Sequence, residues 1–291
     1  MIRWSDDNGM SLLSATWVVF LLSILAVGVL SVTLTFRKTV STLEAGVQDR
    51  FDAASALDLF IHQQFYDPIV KAYFEGVVVL TGEEFFVFVE HESGKINLNR
   101  ASEPLLSALF AVSGQDHEKS KKLAAAIVDW RDRDDESLGL GAESAEYAAA
   151  GLSYGPRNGP FETVGELAGV LGVDFKTFQC VAPFLTVYSL EGEVDLSVAP
   201  AAVEKILTWA FDNDWESVDW PVIVPQGSAG SLRPDSDLGG HSFVFRVSRS
   251  VDGSQGYRQV LRFKSLADKG FDALSAFVPF SVSGGDAGCL L

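Results

Sequence analysis

The chain has 291 residues, 47% of them hydrophobic, enough for one large domain or two modest ones with a sizeable core. Its formal net charge is -17, and the acidic residues are spread along the chain, a field that repels nucleic acid and anionic membrane surfaces and favours cations. Two cysteines, Cys180 and Cys289, exclude a disulfide framework and leave room for one disulfide.

From Met10 to Phe36 there are 27 residues without a charge, more than the roughly 20 that a helix needs to cross the hydrocarbon. The stretch is too long for a cleaved secretory signal, and its flanks, Asp6 and Asp7 before and Arg37 and Lys38 after, set no orientation. Beyond it, Val40, Leu43, Val47, Phe51, Ala54, Leu57, Ile61 and Phe65 recur every three or four residues, an apolar stripe on an amphipathic helix that Pro68 stops. This reads either as an anchor followed by an ordinary helix or as a single helix of more than fifty residues.

Val77 to Leu80 and Phe85 to Glu90 are β-rich runs around a Thr81-Gly82 turn. From Ala101 the period becomes helical, with Leu105, Leu106, Leu109 and Phe110 on one face and Leu123, Ile127 and Val128 on another, and helical content continues through Glu166 to Cys180. Phe184 to Tyr188 returns to β character, Ala201 to Phe211 fits a helix, and Phe243 to Val247 with Tyr257 to Phe263 predicts a hairpin around Asp252-Gly253. Gly and Ser from Gln226 to Ser231 and from Asp235 to Gly240 predict a mobile loop, and Ser281 to Leu291 a poorly ordered tail. The order predicts an α+β fold in which a helical block interrupts a sheet-bearing domain.

No nucleophile elbow, phosphate-cradling glycine loop or metalloprotease histidine pair is present, and His62, His91, His117 and His241 are scattered in sequence. Trp130, Trp209, Trp215 and Trp220 fit core or interface anchors. The most concentrated chemistry is acidic. Asp129 begins a run to Glu143 in which Asp132, Asp134, Glu136 and Glu143 take positions one, three, five and twelve of a calcium-loop window. Ser137 stands where an EF-hand has Gly, and no EF-hand helix pair is evident on both sides. A solvated acidic loop fits the same residues, and the pattern alone does not separate the two. Asn97-Leu98-Asn99 before apolar helices also resembles helix-hairpin-helix modules, but the stretches that would face phosphate carry Asp and Glu, which leaves DNA binding a distant alternative.

Several motifs occur together: Gly94-Lys95-Ile96-Asn97-Leu98-Asn99-Arg100-Ala101, Ile127-Val128-Asp129-Trp130-Arg131-Asp132-Arg133-Asp134, Gly141-Ala142-Glu143, Asn158-Gly159-Pro160-Phe161 and Val164-Gly165-Glu166-Leu167. With Asn8-Gly9-Met10 ahead of the apolar helix, they resemble the pseudopilin K family of type II secretion, across most of the chain. A second family repeat, usually built with Asn, reads here Val194-Asp195-Leu196-Ser197-Val198-Ala199-Pro200. The resemblance implies a type IV pilin-like fold: a leader at 1–9, a long helix at 10–75 with 10–36 in the membrane, a pilin-like α+β domain at 76–96 and 184–280, an inserted all-α domain at 97–183 and a tail at 281–291. It implies prepilin peptidase cleavage between Gly9 and Met10, and calcium on carboxylates of the Asp129–Glu143 region. It also implies a structural, non-enzymatic subunit that meets other minor pseudopilins, the major pseudopilin and the inner-membrane secretion platform, with exported substrates as further contacts. The anchor would be single-pass, its N-terminus cytoplasmic and the main domain periplasmic. Pilin-like subunits usually carry Glu at the fifth mature position; here Ser14 stands there, as it does without Glu in pseudopilin K, which implies a place at the fibre tip. A minor pilin of a type IV pilus or adhesion fibre is the alternative, and a membrane-anchored periplasmic hydrolase a third class.

Overall fold

The computed structural model describes residues 7–63, 75–137, 139–190, 192–212, 222–223, 240–264 and 270–281. The chain forms two compact units, Met1–Asp52 and Ala53–Leu291. The predicted long helix is one element, α1, Asp7–Ile61, and its predicted stop at Pro68 lies outside the described residues.

In the first unit, α1 is long and apolar enough to cross a membrane by length and composition, and its apolar side chains from Leu12 to Phe36 are exposed. Its hydroxyls do not interrupt that surface. Thr16 donates to the Leu13 carbonyl, Ser23 to Val19, Ser31 to Val27 and Thr33 to Val29, so each polar group is satisfied by the preceding turn of its own helix.

The second unit opens with the end of α1, where Ala53, Ala56, Leu57, Phe60 and Ile61 occupy one helical face. The elements that follow are β1 (Glu75–Leu80), β2 (Glu83–His91), β3 (Ile96–Asn97), α2 (Glu103–Val112), α3 (His117–Arg131), α4 (Ser144–Ala149), α5 (Phe175–Val181) and β4 (Leu185–Thr186). Then come β5 (Val194–Asp195), α6 (Ala201–Asp212), β6 (Val222–Ile223), β7 (Ser242–Ser248), β8 (Gln255–Phe263), β9 (Phe271–Ala273) and β10 (Val278–Ser281). The main sheet is antiparallel in the order β1-β2-β7-β8-β10, with β9 on β8. Both predicted hairpins are present, and Thr81 and Gly82 at φ 52° and 86° make the first a two-residue turn. The mobile loop and tail predicted from Gly and Ser fall almost wholly outside the described residues.

Two apolar cores result. Val78, Phe85, Val87, Val89, Phe243, Phe245 and Leu261 on one sheet face pack with the end of α1. The other core is helical and runs past residue 183, the boundary expected for the inserted domain: Leu185, Val194, Val203, Ile206 and Leu207 share it with α2 and α3. The reason lies in the short parallel pairing of β3 with β4, which brings Leu185 and Thr186 beside the strand that leads into α2, and in α6, which packs on α2. Helix content is also lower than the pattern predicts, because Val164–Gly169 is a 3-10 turn and α5 begins only where the Asp174 side chain accepts from the Thr177 N–H at 2.7 Å.

Candidate metal centre

The acidic loop is held by a frame built from the sequence motifs. The Asn97 side-chain oxygen accepts from the Asn99 N–H at 2.8 Å, closing an Asx turn after β3, while its Nδ2 donates to the Ser189 carbonyl at 2.8 Å. Asn99 reaches across the core: Nδ2 donates to the Phe161 carbonyl at 2.9 Å and Oδ1 accepts from the Phe161 N–H at 2.7 Å. Phe161 stacks on Trp130, with ring centroids 5.8 Å apart. Arg131, the last residue of α3, donates to the carbonyls of Leu98 at 2.6 Å and Ala101 at 2.8 Å. Asn158, at φ 51°, donates from Nδ2 to the Asp134 carbonyl at 3.0 Å. The C-terminal end of α3 and the loop after it are therefore fixed by side chain to backbone bonds rather than by propensity.

Between α3 and α4 the chain runs from Asp132 to Glu143, so helices do flank the loop on both sides, although α4 has only six residues. Carboxylate oxygens of Asp132, Asp134 and Glu143 lie within 4.8 Å of one another. Glu143 is 2% exposed, and neither of its side-chain oxygens has a hydrogen-bond donor; Asp132 Oδ1 is likewise buried without one. Burial first, then the charges of Asp129, Asp132, Asp135 and Asp134, push the Glu143 carboxyl up to about 7. Burial and Asp134 raise Asp132 as well, against an opposing pull from Arg131. A buried carboxylate without donors, facing two more carboxylates, matches a hard divalent cation that takes oxygen ligands.

Of the five candidate ligands, Asp132, Asp134 and Glu143 converge, and the other two do not join them. Asp129 is completely buried in α3, and the backbone of Gly141 lies so close that a Cβ there would overlap its carboxylate. It acts on the cluster through charge, as the shift of Glu143 shows. Glu136 is exposed, and its N–H donates to Asp134 Oδ1 at 3.1 Å. Asp135, not singled out from spacing, adds to the negative field at Glu143.

The other residues singled out from the sequence lie elsewhere. Gly9, Met10 and Ser14 lie in α1. Cys180 is disulfide-bonded, and the chain's one other cysteine, Cys289, lies outside the described residues. The histidines scattered in sequence include a pair close in space, His91 and His241, with centroids 5.1 Å apart. His91 accepts at Nδ1 from the Ser93 N–H at 3.1 Å, and burial and His241 push it down to about 4, against Asp195. Beside it, buried Lys95 contacts Glu90 at 3.0 Å and Glu92 at 3.1 Å, and Arg246 contacts Glu90 at 2.6 Å. Burial alone would pull the Lys95 ammonium down; Glu92 and Glu90 outweigh it and hold the group above the usual lysine range. Nothing in the period of the sequence marks this network, since β2 carries Glu90 by strand alternation and Lys95 lies beyond a 3-10 turn.

Residues 89–190 match the family model described as type II secretion system (T2SS), protein K. A type II secretion system protein K from Dickeya chrysanthemi is 27% identical over 158 residues, 54% of this chain and 42% of that protein. One from Pectobacterium carotovorum subsp. carotovorum is 31% identical over 114 residues, 39% of this chain and 35% of that protein. The alignments thus span less than half the length of either relative. The fold is similar to that in a crystal structure of the GspK-GspI-GspJ complex from the type 2 secretion system of enterotoxigenic Escherichia coli, at a TM-score of 0.52 and 15% identity, covering 84% of this chain and 97% of the solved one.

Proposed function

We propose, on the premise that this chain belongs to the type II secretion system protein K family, that it is a minor pseudopilin with a structural role at the tip of the pseudopilus. The observation that carries this reading is the coincidence of the family match, residues 89–190, with the frame of Asn97, Asn99, Trp130, Arg131 and Phe161 around the acidic loop. Helix α1 anchors the chain once in the inner membrane, with the leader cytoplasmic and the folded unit periplasmic. Prepilin peptidase cuts after Gly9, and Met10 supplies the mature amine. A fifth-position carboxylate lets an incoming subunit pair in lipid with the amine of the subunit above it, where an unpaired charge is costly. Ser14 has no carboxylate to offer, while the Met10 amine can still receive one from below. Only the top place fits both facts. The other minor pseudopilins and the major one then join beneath it, on the secretion platform, during export across the outer membrane.

Calcium belongs to this reading as the cation held by Asp132, Asp134 and Glu143, with Asp129 behind them. It neutralises the loop and fixes it against the helical core.

The test is to label the chain in secreting cells and image sheared fibres. Tip placement requires one label at a fibre end and loss of export on deletion. Labels repeated along the shaft, or a membrane-purified chain that still begins at Met1, would overturn it.

A further inference from the structure

Strand β1 is an edge of the main sheet: it pairs with β2, and among the described residues no strand pairs with its other side. Its two-residue turn makes Leu80 and Glu83 the closing hydrogen-bonded pair. Alternation then assigns the rest of the strand. Gly76 and Val78 also bond to β2, while the N–H and C=O of Glu75, Val77 and Val79 point away from the sheet.

Two of these residues also expose their side chains, Val77 by 53% and Val79 by 61%, whereas Val78 between them is buried at 2%. Natural edges are blunted by lysine, proline, bulges or short length. The run Gly76-Val77-Val78-Val79-Leu80 has no charge and no proline, and its register with β2 is unbroken over six residues. The sheet face beside it is part apolar, with Val77 opposite Phe86 and with Arg246 lying over the rings of Phe88, at 5.7 Å, and Phe280, at 5.9 Å.

We propose that β1 is a docking edge that takes one added strand from another protein, an extended segment with an apolar residue opposite Val77 and a basic residue opposite Val79. The charge pattern selects this occupant. Val79 stands opposite Glu84, which has no ion pair among the described residues, whereas Glu83 is held by Arg249. A strand two positions from β2 lies about 10 Å away, a gap that a lysine or arginine and a glutamate span together. An apolar residue opposite Val77 extends the cross-strand row through Val77 to Phe86. A second copy fits badly, since β1 has no basic residue to stand opposite Val79 and each chain carries -17. The edge is separate from the acidic loop, and the inference does not rest on the family.

The experiment uses the full chain in detergent with a fluorescein-labelled peptide, Thr-Lys-Thr-Val-Thr-Val, and its counterpart with glutamate for lysine. Amide hydrogen exchange at Val77 and Val79 should slow by about tenfold or more with the lysine peptide, and that at Val78, already bonded, should not change. Val77→Pro removes an outward N–H at an edge position where proline is tolerated, and should weaken peptide binding by about tenfold; Val77→Thr keeps the N–H and should bind within about twofold of the parent. Three results overturn the proposal: no protection at millimolar peptide, equal protection by the glutamate peptide, or equal loss in both variants. Protection that rises with protein concentration without peptide overturns it in favour of a second copy.

Discussion

Withdrawing calcium should loosen the segment from Asp132 to Glu143, and the structure bounds the effect. Three carboxylates converge there, and the Glu143 oxygens have no donor, so the metal-free loop carries repulsion that a cation cancels. Extracellular calcium modules bind with a Kd of about 10⁻⁴–10⁻³ M. At about 2 mM free calcium, linkage gives about 0.6–1.8 kcal/mol, or a rise in Tm of about 1–7 °C for a folded unit of this size. The assay is thermal unfolding of metal-stripped full chain in detergent, followed by circular dichroism, with calcium, with magnesium and with chelator. Glu143→Gln separates charge from shape. Without metal it should melt at or above the parent, because the repulsion is gone, and calcium should no longer shift it by much. Superimposable parent curves with calcium and chelator, or a glutamine variant that keeps the full shift, would refute the reasoning.

Gly141→Ala should lower both Tm and calcium response, since its Cβ overlaps the carboxylate of Asp129, which is completely buried; unchanged melting would contradict that packing. Lys95→Met leaves Glu92, 1% exposed, without its cation, and should destabilise by about 3–5 kcal/mol in chemical denaturation, with Glu92→Gln in the same chain recovering part of the loss. His91 titrates at about 4 when folded and 6.5 when unfolded, so its contribution is complete above pH 6.5 and is lost as pH falls towards 4, by at most about 3 kcal/mol. Glu143, raised to about 7, acts with the opposite sign, losing stability as pH rises from 4.5 through 7. Unfolding from pH 4 to 7 in saturating calcium should therefore expose the His91 slope, and His91→Gln should flatten it.

Much of this architecture is legible where a period runs long. Helix α1, the β1/β2 hairpin and the β7/β8 hairpin follow from apolar spacing and turn residues, because each is stabilised by neighbours in its own segment. The acidic spacing likewise brings Asp132, Asp134 and Glu143 together. What the spacing misplaces is Glu136, because the Asp134 side chain accepts its N–H and tightens the turn, leaving the carboxylate in solvent. Asp129 reads as a ligand from its place in the run, yet it sits in the last turn of α3, where the helix face rather than the loop decides its direction. Pairings such as β3 with β4, two residues each and separated by the helices, leave no alternation to read. The His91 and His241 pair is hidden for a related reason, since it arises from the register of β2 against β7.

The two turns that start α2 and α6 explain why the acidic loop hangs on the first of them. In the first, the Asn97 oxygen accepts from Asn99 N–H at 2.8 Å, and Arg100 N–H bonds to the Asn97 carbonyl at 3.2 Å. In the second, the Asp195 oxygen accepts from Ser197 N–H at 2.9 Å, and Val198 N–H bonds to the Asp195 carbonyl at 3.3 Å. Each turn leads into a helix, and each strand before it pairs in parallel with a strand that follows that helix. The turn itself needs only a side-chain acceptor, so aspartate replaces asparagine without loss. A carboxylate has no N–H to give, however, and two of the long-range bonds of the first turn are donations from amide nitrogen, Asn97 to Ser189 and Asn99 to Phe161. Ser197 spends its hydroxyl on Asp195. Among the described residues the side chains of the second turn make no long-range hydrogen bond, while the first ties β3 to Phe161, hence to Trp130 and the end of α3, and so places the carboxylates that follow Arg131.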